Sequence, residues 1–460
     1  MSVPRFADPS APAREVTVVR AEGLAAWLDQ QPAPVQAWLK GTGFEAGLGD
    51  VRLLQAPDGT VQSAVAGFGT ANARARQRFG LAKAAAALPG GAWRMTGDLT
   101  PAERDEAALA WLLAQYRFDR YRAPKPVDPA LLVADGPNTT RLLAMAEGEF
   151  LTRDLINTPA SDMGPAELEA AFVALAAKFG ASAEVTLGAA LETGFPMIHA
   201  VGKASVRAPR LLDMRWGDAG PKLTLVGKGV CFDTGGLDIK PSSGMQLMKK
   251  DMGGAATVLG LAHMIMALGL PVRLRVLVPA VENSISGNAM RPKDILRSRK
   301  GLTVEVNDTD AEGRLVLGDA LAYACEEAPD FMVSMATLTG AARVAVGPDL
   351  APYYTDDPGV VASLEAGALA GFDPVWRLPF HDAYETVIEP GIADLDNAPG
   401  YGFAGSVTAA LFLRRFVEGH RYLHFDIYGH TPADLPARPK GGVGQGARAV
   451  LGALPAVLGL

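Results

Sequence analysis

Within VNDTDAEGRLVLGDAL, residues 306–321, three carboxylates occupy alternate positions: Asp308, Asp310 and Glu312. Like charges at this spacing repel, and burying even one ionised carboxylate is costly unless a positive group accompanies it. In extended chain the three side chains would project to one side. Two explanations compete. The acids could cap the positive end of a helix starting near Gly313, or they could hold a cation. For this stretch in isolation, the helix cap is the better explanation.

A second stretch changes the balance. The apolar run LTLV (223–226) leads into GKGVCFDTGGLDIKPSSGMQLMKKDMGGAAT, which carries Lys228, Asp233, Lys240 and Asp251 among glycines. Glycines let backbone turn sharply and approach a ligand closely. The phosphate-binding pattern GxxxxGK[ST] is absent, which argues against a nucleotide loop. Taken together, the stretches offer four carboxylates, Asp233, Asp251, Asp310 and Glu312, interleaved with Lys228, Lys240 and Arg314. Oxygen-rich clusters suit hard or borderline divalent ions, and four carboxylates are about what two bridged ions need. Two ions about 3.5–4 Å apart form a recurrent hydrolytic site that activates one water. The combined pattern therefore favours cations over a helix cap.

Such residues need a scaffold that brings distant segments together. PRLLDMRW, KLTLVGKGV, VRLRVLVPAV and DFMVSMATL are near-continuous apolar runs, as in a parallel sheet buried on both faces. Helical patterns at 254–268, 314–327 and 405–417 supply the crossovers. In such sheets ligands gather at the carboxyl ends of strands, where these polar residues fall. Earlier in the chain, VTVVR (16–20), VRLLQ (51–55) and VQSAVAGF (61–68) read as strands. Residues 71–88 and 100–118 read as helices, the second opened by Thr100, Pro101 and Glu103. The Pro-, Asp- and Gly-rich segment 123–140 reads as a connection. The expectation is an α/β chain of two domains: a smaller N-terminal α/β domain at 1–140 and a catalytic α/β/α domain at 141–460 with a mostly parallel sheet.

Composition sets the outer bounds. With 460 residues, 49% hydrophobic and 20% charged, the chain has the makings of a well-packed two-domain globule. A net charge of −7 argues against nucleic acid as the main partner. Cys231 and Cys325 form no CxxC pair and suit a reducing compartment. The N-terminus shows no apolar signal-peptide core, and the most apolar window, 258–272, contains His263 and Pro271 and reads as a buried helix. A cytoplasmic protein without a membrane span is expected. The six histidines form no HExxH; the pair in HFDIYGH (424–430) is expected to be structural, as is Cys231.

GKGVCFDTGGLDIKP, MKKDMGGAATV, VPAVENSISGNAMRPKDIL and DTDAEGRLVLGDAL together resemble the leucyl aminopeptidase family of dinuclear-metal exopeptidases. The resemblance continues collinearly through MATLTGA, VWRLPF, IADLDN and AGSVTAALFLRRF, covering about residues 150–435. It implies a homo-hexameric cytosolic enzyme that removes N-terminal residues from peptides. It also implies Lys228, Asp233, Asp251, Asp310 and Glu312 as ligands of two divalent ions, Zn or Mn, with Mg or Co as alternatives. Lys240 would stabilise an oxyanion, and Arg314 would hold a bicarbonate acting as base. Lys228 would ligate as a neutral amine, its pKa depressed by burial and the adjacent dication. Met248, Thr337 and Gly340 fall where the family builds its first side-chain pocket, which suits Leu- or Met-like residues. Asp308 stands where the family pattern carries asparagine. The competing readings are a dipeptidase or small-amide hydrolase with the same metal site, and a hexameric DNA-binding regulator.

Overall fold

The computed structural model describes residues 2–122, 128–134, 136–417 and 419–460. The chain divides into two compact units, Met1–Phe150 with Ala433–Lys440, and Leu151–Pro432 with Gly441–Leu460. Of the expected connection, residues 123–127 and 135 lie outside the described residues.

In the first unit, strands β1 (Arg14–Val19), β2 (Val51–Gln55), β3 (Val61–Gly67), β4 (Gly91–Gly97) and β5 (Ala130–Leu132) form a sheet of order β2-β3-β1-β4-β5. All pairings are parallel except the β2–β3 hairpin. The expected second helix runs Pro101–Leu113, with a capping box between Thr100 and Glu103. The helix expected over 71–88 is broken into Ala71–Ala75 and Ala82–Ala87. Between them Phe79 takes φ +59°, its ring buried and its N–H donated to the Glu106 carboxylate at 2.8 Å. Burial of one aromatic ring outweighs the helix propensity of its neighbours. β5 lies inside the segment read as a connection, its three residues half or fully buried beside β4.

The second unit carries β6 (Ser182–Leu187), β7 (Arg210–Trp216), β8 (Lys222–Gly227), β9 (Gly229–Asp233) and β10 (Arg273–Asn283). A small separate sheet is formed by β11 (Ile295–Arg297), β12 (Thr303–Glu305) and the later β16 (Leu395–Asp396). β13 (Phe331–Ala336), β14 (Ala351–Tyr354), β15 (Val375–Arg377) and β17 (Tyr422–Asp426) complete the main sheet. Among the described residues its order is β15-β14-β17-β13-β8-β10-β7-β6, with β9 also pairing β10. β10, β8, β13 and β17 run parallel through the centre, as expected for a mostly parallel catalytic sheet. PRLLDMRW, read as another parallel strand, is β7 and runs antiparallel to both β10 and β6. Its central residues are buried. An apolar run reports that burial and leaves strand direction open.

The crossover helices run Gly253–Ala267, Gly313–Cys325 and Gly405–Arg414. The first is buried from Gly253 to Met266, which accounts for its apolar sequence without a bilayer. No helix among the described residues is long and apolar enough to cross a membrane.

Candidate metal centre

Lys228 occupies the single residue between β8 and β9. Its N–H donates to the Met335 carbonyl at 3.0 Å, and its carbonyl accepts from the Ala255 N–H at 2.8 Å. Backbone thus fixes a side chain that is only 3% exposed. The Lys228 ammonium donates to Asp251 Oδ2 at 2.6 Å and to the Thr337 carbonyl at 3.2 Å. It also lies 2.9 Å from Glu312 Oε1. Asp233 closes β9; its Oδ1 accepts from the Gly235 N–H and from Asn283 Nδ2. Its Oδ2 lies 2.9 Å from the Lys240 ammonium, which also contacts Asp310 Oδ1.

The turn carrying Asp310 and Glu312 is stitched to the β9 loop by polar contacts. Thr309 is fully buried, donating its N–H to Asp238 Oδ2 at 2.8 Å and its hydroxyl to the Gly235 carbonyl at 2.6 Å. Asn283 Nδ2 donates to the Thr309 carbonyl as well as to Asp233. On the other side Asn397, fully buried after β16, donates to the carbonyls of Asp308 and Ala311 and accepts the N–H of Asn307. Its own carbonyl receives Arg314 Nη1 at 2.6 Å. One asparagine therefore positions both the acidic turn and the nearby guanidinium.

Asp308 departs from the extended-chain expectation. Its Oδ1 accepts the Asp310 N–H at 2.8 Å and so caps the turn, while Asp310 and Glu312 face Asp233. The reason is local: a carboxylate two residues before an N–H closes an Asx turn. Glu312 is the N-cap of Gly313–Cys325 but makes no side-chain capping hydrogen bond. Helix capping therefore does not account for its position.

One oxygen each from Asp233, Asp310 and Glu312 lies within 4.8 Å of the others. Asp310 Oδ1 and Glu312 Oε1 are buried, and among the described residues each has only a lysine ammonium beside it. Burial and repulsion from Asp233 push the Asp310 carboxyl up to about 7, against the pull of Lys240. The same two causes hold Glu312 well above the usual carboxylate range. Burial would also raise Asp251, but the adjacent Lys228 and Lys250 hold it low. These are the marks of a donor set short of positive charge, and oxygen donors of this kind fit divalent ions.

Lys228 differs from the expectation of a depressed pKa. Burial does favour its neutral form, but Asp251, Glu312 and Asp233 outweigh it and hold the ammonium charged. The expectation presupposed a dication; with carboxylates alone the lysine itself supplies the counter-charge. Lys240 is raised likewise, burial being outweighed by Asp233 and Asp310.

The close packing has a checkable consequence. A Cβ on Gly313 would lie 2.5 Å from Lys228 Cε and 2.7 Å from its Nζ. Gly313→Ala is expected to displace the amine, cost about 1–3 kcal/mol of stability, and weaken metal binding about tenfold or more. Thermal unfolding and calorimetric metal titration would measure the two effects.

Of the expected pocket residues, Thr337 follows β13 and donates its hydroxyl to Asp251 Oδ1 at 2.9 Å. Met248 is half-buried, and its carbonyl accepts the Asp251 N–H at 3.1 Å. Gly340 opens the helix Gly340–Val346 beside empty space: a Cβ there would meet nothing within 4 Å. His424 is fully buried in β17, its Nδ1 2.8 Å from the Ser334 hydroxyl, and takes no part in the cluster. Cys231 is fully buried. Sequence reasoning missed Asn283, Thr309 and Asn397, whose polarity has no chemical signature apart from their partners.

Profiles of known families match both parts of the chain. The cytosol aminopeptidase family, catalytic domain, matches residues 150–451, and the M17 aminopeptidase N-terminal domain matches 15–133. A probable cytosol aminopeptidase of Rhizobium rhizogenes is 42% identical over 342 residues, 70% of this chain and 68% of that protein. Its counterpart from a Chelativorans species is 39% identical over 402 residues, 81% of each. Among solved structures, the cytosol aminopeptidase from Coxiella burnetii superposes with a TM-score of 0.93 at 41% identity, covering 98% of both chains. The bottromycin maturation enzyme BotP, in complex with Mn, gives 0.86 at 32% identity, covering 97% of this chain and all of that one.

Proposed function

This chain belongs to the cytosol aminopeptidase family and is a metal-dependent exopeptidase, and we propose that it releases Leu- or Met-like residues from the free N-termini of peptides. The observation that carries the proposal is the convergence of Asp233, Asp310 and Glu312, the buried oxygens of Asp310 and Glu312 being met among the described residues by a lysine ammonium alone. Lys228, Asp233, Asp251, Asp310 and Glu312 would hold two divalent ions. Bound there, such ions supply Lewis acidity for a water and for the scissile carbonyl. Zn or Mn suits the donor set, and the Mn complex of the relative BotP supports the second.

The chain's own groups complete the chemistry. Lys240 is held cationic, and its ammonium would stabilise the oxyanion that develops on the carbonyl. Arg314 is buried, with one Nη committed to Asn397 and its Nε without a partner among the described residues, leaving a donor for a small planar anion such as bicarbonate serving as base. Asp251 would receive the substrate's α-ammonium. The half-buried Met248 and the open space at Gly340 suit an adaptable apolar side chain. A cytoplasmic homo-hexamer is part of this reading, supported by the family resemblance, and sedimentation analysis would test the assembly.

The decisive assay compares leucine amide with N-acetyl-leucine amide, with and without a chelator. Hydrolysis of the free amine only, abolished by chelation and restored by Zn or Mn, is the expected result. Equal turnover of the acetylated compound would overturn recognition of the α-amine.

A further inference from the structure

Next to Asp251 lies a second cation, whose charge favours that carboxylate but which makes no direct bond to it among the described residues. Lys250 is only 7% exposed, yet its ammonium makes no hydrogen bond and no ion pair among the described residues. It rests against the ring of Tyr428, 4.9 Å from the centroid. Arg343, exposed on Gly340–Val346, sets its guanidinium against the same ring, also at 4.9 Å, and likewise has no acceptor among the described residues. A cation over an aromatic face gains less than the burial of an ammonium costs, and a second cation nearby adds repulsion.

The nearby carboxylates are already committed. Asp251 binds Lys228 and Thr337. Asp426 accepts from the Leu338 and Thr339 N–H groups, the Thr339 hydroxyl and the Ser406 hydroxyl. Neither is free to pair with Lys250 or Arg343. The pair also belongs to the segments that carry the expected pocket residues. Lys250 shares its 3-10 turn with Met248, Arg343 lies three residues beyond Gly340, and Tyr428 precedes Gly429, where a Cβ would lie 3.2 Å from Thr337 Cγ2.

We propose that Lys250 and Arg343, arranged on Tyr428, form a subsite for a carboxylate of the substrate. The inference rests on the aminopeptidase reading and deepens it by naming a substrate class. A carboxylate suits both partners: Arg343 offers a planar fork for two parallel hydrogen bonds, and Lys250 offers a point charge in a largely dry setting. The carboxylate could come from the side chain of an N-terminal Glu or Asp, or from the C-terminus of a dipeptide.

The test uses the metal-loaded full chain and two matched pairs of substrates. Glutamyl-leucine amide is compared with glutaminyl-leucine amide, and leucyl-glycine with leucyl-glycine amide. In one pair the acid should exceed the amide in kcat/KM by about tenfold or more, and that pair identifies the source. Arg343→Met and Lys250→Met should each bring the ratio close to one, while Arg343→Lys restores part of it. The ratio is internal to each variant, so partial loss of metal does not affect it, and exposed Arg343 provides the variant that folds. Ratios near one for both pairs in the native chain, or ratios unchanged in both Met variants, would overturn the subsite. Failure to hydrolyse any of the four would instead overturn the aminopeptidase reading, a separate result.

Discussion

Lys240→Ala is expected to lower kcat by about 10²–10³-fold, the usual cost of removing one oxyanion donor, while metal content stays near that of the native chain. The two halves of this expectation have different origins. Loss of rate follows because Lys240 is the cation nearest both Asp233 and Asp310, held charged by them at the edge of the cluster. Retention of metal follows because that ammonium competes with a divalent ion for the same oxygens. Removing it leaves Asp233 with its hydrogen bonds from Gly235 and Asn283, and leaves the Asp310 turn pinned through Thr309. The ligands keep their places and lose a competitor. Metal analysis alongside steady-state kinetics reads both quantities. Loss of both ions in the variant would mean that Lys240 holds the loop together and has no part in the chemistry.

The convergence of distant acids was legible because each polar cluster follows an apolar run, and a parallel sheet presents those ends along one edge. Asp233 closes β9, Lys228 interrupts the strand path between β8 and β9, and Thr337 follows β13 directly. What could not be read depends on partners remote in sequence. Alternation in DTDAE suggests one face of an extended chain, but the segment is a turn in which Asp308 serves the backbone. Asn397 matters because it meets residues 307, 308, 311 and 314 at once, which no local pattern announces. Strand direction was hidden for the same reason, since β7 is as apolar as its parallel neighbours. The break in 71–88 comes with burial of the Phe79 ring, whose N–H is met by Glu106 from another helix. Lys250 carries no signature within MKKDMGG; its burial and its lack of an acceptor among the described residues set it apart.

Metal binding is expected to strengthen steeply with pH, and the shape of the curve distinguishes the ligands. Without metal, the Asp310 carboxyl is held at about 7, above its unfolded value. The folded apo chain therefore carries a proton there between about pH 4 and 7 that the unfolded chain does not. That proton stabilises the apo fold at low pH, and the contribution is lost as pH rises through 7. Binding an ion must expel it, so affinity should rise about tenfold per pH unit below 7 for this proton alone. Lys228 acts in the other range. Its ammonium is held charged by Asp251, Glu312 and Asp233, so ligation by the amine must expel a second proton at any pH near neutrality. Affinity should then keep rising above pH 7, about tenfold per unit, where Asp310 no longer contributes. Calorimetric titrations of Zn or Mn in buffers of different ionisation enthalpy would count the protons directly. Release of about one proton more at pH 6 than at pH 8 is the expected outcome, and Glu312, itself held well above the usual carboxylate range, adds to the count wherever it is still protonated. Affinity that levels off above pH 7 with no proton released would remove Lys228 from the ligand set, leaving the carboxylates alone to hold the ions.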